Sequence, residues 1–166
     1  MKTIHLTEHF TLQEFTRSAT ATKFGIDNTV PSHLIPRLEQ LCKTILEPLR
    51  EFAGQPIVIS SGFRSPILNL RVGGVPSSQH TLGEAADIRI PKTAYTDWDD
   101  NLAHTDMDIA NRWFDWLRDH VDFDQLILET ENGRDYWIHV SCRGNRSKNR
   151  KQVIRNLRKQ PQRQDR

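Results

Sequence analysis

His80 and Asp87 stand seven residues apart across a turn of small residues. A third candidate, His139, sits in the β-like run Trp137-Ile138-His139-Val140-Ser141. Two histidines and an aspartate make a three-ligand set for a catalytic Zn²⁺, with a fourth position left for water. The spacing decides how the first pair could meet. On a helix, seven residues would stack the side chains two turns apart, too far for one ion. Around a turn, Gly83 can relieve the backbone and Ala85 and Ala86 leave room, so both can fold onto one centre. Asp87 then lies on a strand that leaves the site, and His139 on a strand that could neighbour it. A histidine and an aspartate within ten residues are common; the third ligand turns the pair into metal-hydrolase chemistry.

For these side chains to converge, the flanking segments must build a sheet. Pro56 to Gly62 reads as a buried strand entering a turn, and Ala85 to Ile90 as a second strand that Pro91 ends. Phe123 to Glu129 is strand-like. Tyr136 to Cys142 returns as its antiparallel partner across Asn132-Gly133, a strong hairpin signal. Leu34, Leu38, Leu41, Ile45 and Leu49 form one apolar face of a helix opened by Pro31 and stopped at Gly54, with a kink predicted at Pro48. Asp106 to His120 is a second amphipathic helix. Thr11 and Glu14 have the capping-box spacing of a short helix start. Thr16 to Thr29 and Thr93 to His104 read as polar loops, and Ile67 to Val75 as a short helix with a glycine loop. The predicted class is α+β: a small central antiparallel sheet with helices packed on it and the zinc site at one face.

The 166 residues suit one domain over 1–145, followed by a basic tail over 146–166. Nine basic residues against Asp165 give the tail a net charge of +8, on a body of net −6. Val153, Ile154 and Leu157 offer the tail a short helical stripe, and residues after about Arg158 are predicted to be disordered. The tail is either a solvated terminus or an electrostatic attractor for a polyanion, such as a phosphate-bearing cell wall or nucleic acid. Nothing in the body resembles a nucleic-acid-binding module, so no specific nucleic acid is expected. No apolar run approaches the roughly 18 residues of a membrane span, and Met1 to Thr20 lacks a signal-peptide core. A monomer, cytoplasmic as synthesised, is the expectation. Cys42 and Cys142 read as free thiols.

The run Ser78-x-His80-x-x-Gly83-x-Ala85-x-Asp87, with Trp137-x-His139, resembles the zinc D-Ala-D-Ala carboxypeptidase family. That family takes in D,D-dipeptidases, phage L-Ala-D-Glu endopeptidases and the zinc site of the Hedgehog signalling domain. Ser60-Ser61-Gly62-Phe63-Arg64-Ser65 is similar to its Ser-Gly-Tyr-Arg-Ser segment, and Phe10-Thr11-Leu12-x-Glu14-Phe15 to the start of small phage-encoded members. The resemblance implies one Zn²⁺ held by His80, Asp87 and His139. It implies hydrolysis of a peptide bond in a peptidoglycan stem peptide, by a D,D-carboxypeptidase or an endopeptidase. The lack of a signal-peptide core suits a phage lysis enzyme or virion component, acting on the wall after release or delivery.

The family also needs a carboxylate as general base. Many members carry it three residues before the last histidine, where this chain has Tyr136. Glu129, at the end of the strand that the hairpin folds back beside His139, is the better candidate; Glu131 and Asp135 are alternatives in the turn. Arg64 is assigned to a substrate carboxylate or the oxyanion. Ser78 and Gln79 are candidate substrate contacts. Trp137 replaces a histidine of many members and is expected to pack against substrate or core. A second reading is a catalytically inactive zinc-site protein that binds cell-wall peptides.

Overall fold

The computed structural model describes residues 3–92, 106–131 and 135–157. The predicted loop at Thr93 to His104, the Asn132-Gly133 turn and the tail after Arg158 lie outside them. Five strands form one sheet in the order β1-β2-β4-β3-β5: β1 Val58–Ser61, β2 Ala85–Arg89, β3 Gln125–Glu131, β4 Asp135–Ser141 and β5 Gln152–Asn156. The first four pair antiparallel, whereas β5 lies parallel to β3. The protein is α+β, as expected.

Alternation along the strands separates the two faces of the sheet. Ala86, Ile88, Leu126, Leu128, Ile138 and Val140 are fully buried on one face. That face receives the helix α6 (Asp106–His120), through the buried Trp113, Phe114 and Leu117. Asp87, Ile127, Glu129, Trp137 and His139 alternate with them and point to the other face, where each keeps some exposure.

The long helical stretch before β1 has the predicted apolar face: Leu38, Leu41, Ile45 and Leu49 are all fully buried. Its irregularity is a widened turn rather than a simple kink. Between α3 (Ile35–Leu41) and α4 (Glu47–Ala53), Cys42–Leu46 forms a π-helical turn, and the Glu47 amide donates to the Cys42 carbonyl. Pro48 has no N–H and its ring crowds the carbonyl four residues back, so one extra residue in the preceding turn relieves the clash. The N-terminal capping box is present at α1 (Leu12–Thr16), with Thr11 and Glu14 bonded reciprocally. The segment read as loop from Thr16 to Thr29 contains a short helix, α2 (Ala19–Phe24). Ser18 caps it by accepting from the Ala21 amide, and Gly25 closes it in the left-handed conformation. Part of the next segment is helical as expected, in α5 (Pro66–Arg71).

The tail departs from its predicted helical stripe. Val153 and Ile154 lie in strand β5, on the otherwise free edge of β3. A buried carboxylate directs the chain there. Asp124 is fully buried and accepts from Arg143 Nε at 2.7 Å, Arg150 Nη2 at 2.7 Å and the Arg150 amide at 2.9 Å. Its backbone carbonyl takes the Gln152 amide at 2.9 Å. Arg155 then ties β5 to α6 through Asn111 and Asp115, each at 2.6 Å. An open ladder edge plus a charge clamp outweighs a three-residue apolar periodicity.

Candidate metal centre

His80 reaches the sheet from a tight 3-10 turn, Gln79–Leu82, that Gly83 closes with φ of +66°. The turn is anchored by Arg64, whose amide donates to the His80 carbonyl at 3.2 Å. The buried His80 ring places Nδ1 2.6 Å from the Gly62 carbonyl. A carbonyl can only accept, so Nδ1 carries the proton; Nε2 faces Asp87, to which it donates in the imidazolium form, and once deprotonated it presents its lone pair to a metal. Nε2 lies 3.2 Å from Asp87 Oδ1. Gly62 can offer that carbonyl because a Cβ there would meet the Phe15 Cα at 2.6 Å; the strand end and α1 touch backbone to backbone.

Asp87 and His139 are direct partners in the β2–β4 register, so they share a face. His139 Nδ1 sits 2.9 Å from the same Asp87 Oδ1. Its Nε2 is buried with no hydrogen-bond partner among the described residues. Such an orphan costs about 1–3 kcal/mol, which indicates that the ring is held for what its Nδ1 edge does.

One ligand atom from each of His80, Asp87 and His139 lies within 4.8 Å of the other two. A tetrahedral ion bound at about 2.0–2.1 Å separates its ligands by roughly 3.3 Å, close to the 2.9 and 3.2 Å contacts made by Asp87. Two imidazoles and a carboxylate, one ring with its tautomer fixed, match the donor set of Zn²⁺. Burial would push the Asp87 carboxyl up. The His80 charge and hydrogen bonds from His139 and His80 more than reverse this and hold it well below the ordinary range, as a carboxylate.

Arg64 is nearer the ligands than its assignment to substrate required. Its Nη2 donates to Asp87 Oδ2 at 2.9 Å and its Nε to Ser61 Oγ at 2.9 Å. The guanidinium therefore grips the outer oxygen of Asp87 and leaves Oδ1 to the histidines. Ser78 and Gln79 sit at the start of the His80 turn, and neither side chain bonds to the three candidate ligands.

Glu129 shares the open face with His139, one rung further along the sheet, where its register partner is Trp137. The Trp137 indole N–H donates to Glu129 Oε2 at 2.7 Å. The Trp137 indole N–H thus has a polar partner in addition to any packing by its ring, and Oε1 is the carboxylate oxygen that Trp137 leaves free. Among the alternatives, Asp135 pairs with Lys92 at 2.6 Å at the far end of the hairpin. Sequence reasoning missed the Arg64–Asp87 and Trp137–Glu129 contacts. The second had a signal: positions equidistant from Gly133 pair across the hairpin, as 129 and 137 do.

A sequence model of the family described as Peptidase M15 matches residues 8–141. No curated protein matches the chain.

Proposed function

This chain belongs to the peptidase M15 family, the zinc D-Ala-D-Ala carboxypeptidase family, and from that premise we propose that it hydrolyses a peptide bond in peptidoglycan stem peptides. The observation that carries the reading is the convergence of His80, Asp87 and His139 on one point of an open sheet face. These three residues would hold one Zn²⁺. Such an ion acidifies water and polarises a carbonyl at neutral pH.

The remaining chemistry falls to the chain's own groups. Gly62 keeps His80 Nε2 aimed at the centre, and Arg64 holds the outer oxygen of Asp87 so that Oδ1 faces the histidines. Glu129 accepts the proton of the attacking water and returns it to the leaving amine. Trp137 holds one Glu129 oxygen so that the other does the transfer. With Arg64 committed to Asp87 and Ser61, the guanidinium donors that it has left are what it would offer a developing oxyanion. The inactive-binder reading draws on Tyr136 standing at the usual base position. A carboxylate on the same face as the candidate ligands favours the enzyme.

The test is release of new amino groups from purified peptidoglycan, with mass spectrometry to identify the bond. Zinc-loaded protein should cleave it and chelator should stop it. Zinc bound at one equivalent with no cleavage of any peptidoglycan type would leave the binder.

A further inference from the structure

We infer that Arg89 forms a carboxylate-binding subsite beside the metal centre; this rests on the peptidase reading and specifies its substrate. Arg89 lies two residues beyond Asp87 on the same face of β2, with Trp137 opposite it on β4. The strand is internal to the sheet, flanked by β1 and β4. Internal strand positions favour β-branched and aromatic residues, and an exposed cation there contributes little to the sheet. Among the described residues the Arg89 side chain has no hydrogen-bond or ion-pair partner. Arg64, a second cation beside the candidate ligands, is already engaged on both Asp87 and Ser61.

Arg89 opens onto a cavity of about 590 Å³, shared with Ser60, Lys92, Asp106, Asp135 and Trp137. Lys92 is neutralised by Asp135 at 2.6 Å. Asp106 adds a negative wall, which disfavours a polyanion such as a phosphate polymer. What fits is a single carboxylate, gripped by the planar fork of the guanidinium and flanked by the Trp137 ring. Two strand residues span about 7 Å, and an extended peptide advances about 3.3–3.6 Å per residue. The carboxylate therefore belongs to a residue one or two positions from the bond held at the metal centre.

The experiment is calorimetric binding to zinc-loaded protein carrying Glu129→Gln, with and without Arg89→Gln. The probes are a synthetic stem peptide and two versions in which its terminal or its side-chain carboxylate is amidated. With Arg89 present, one amidation should weaken binding roughly 10- to 100-fold. With Arg89→Gln, the free acid should bind no better than that amide. Equal binding of all three peptides with Arg89 present, or discrimination that survives Arg89→Gln, overturns the subsite. The two readings fail separately. Wild-type protein that cleaves all three peptides equally keeps the peptidase and loses the subsite. Discrimination that depends on Arg89, without cleavage by wild type, keeps the subsite and loses the peptidase.

Discussion

Replacing Asp124 by Asn should cost stability in a pH-dependent way. Burial alone would raise this carboxyl. Hydrogen bonds from the Arg150 side chain and amide, and from Arg143, overcome that and hold it at about 2 against an ordinary 3.8. A lowered folded-state value means stability that is present above the ordinary value and lost as pH falls toward about 2. Nearly two units, at about 1.4 kcal/mol each, give about 2 kcal/mol at pH 7, of which roughly half should be gone by pH 3. The carboxylate is fully buried, so this figure needs little discount for solvent screening. Urea denaturation of wild type and Asp124→Asn at pH 7, 5, 4 and 3 measures it. The stability gap should shrink by about 1 kcal/mol from pH 7 to pH 3, because other titrating groups cancel in the difference. A gap that stays constant across the series would refute the clamp's ionic character and leave only a packing role.

Glu129→Gln should keep zinc and substrate binding and lose kcat by roughly 10²- to 10⁴-fold in a peptide-release assay, whereas His80→Ala should lose the metal itself. Trp137→Phe keeps an aromatic ring and removes the donor to Glu129, so kcat should fall about tenfold with KM little changed. Gly62→Ala forces β1 away from Phe15 and drags the carbonyl from His80; denaturation should show a loss of about 2 kcal/mol and zinc titration an affinity about tenfold weaker. Truncation before Arg146 removes β5 and half of the Asp124 clamp, so the melting temperature should drop on the order of 10 °C. The same truncation should weaken adsorption to anionic walls at low salt, and equal adsorption across a salt series would end the targeting role.

Much of the site could be read from the chain because its geometry is local or periodic. The β3–β4 hairpin makes register a matter of counting outward from Gly133, which placed Glu129 on the His139 strand's flank. The small residues around Gly83 allowed the turn that brings His80 to Asp87. What escaped was set by contacts between distant segments. Arg64 looked free because nothing local indicates that its partner is a candidate ligand 23 positions away. Strand β5 looked like tail because its residues are polar and basic, and only the open edge of β3 and the buried Asp124 give it a place. The Cys42–Leu46 turn was foretold as trouble at Pro48, yet the form of the irregularity depended on keeping Leu41, Ile45 and Leu49 on the core side.

Strands β2 and β4 lie inside the sheet, with β1 on one side and β3 and β5 on the other. In local-opening terms this grades the molecule. The borders can detach in partial fluctuations, while the amides of Asp87 and His139 should open only in events near the full unfolding free energy. Two of the three candidate ligands thus sit in the slowest-exchanging part of the backbone. The third hangs on the Gly62 carbonyl at the end of border strand β1. A metal held by these three would then have an escape route that leaves the fold standing: fraying of β1, loss of the carbonyl that sets the His80 tautomer, and a swing of that one imidazole. Asp87 and His139 would stay in place to recapture it.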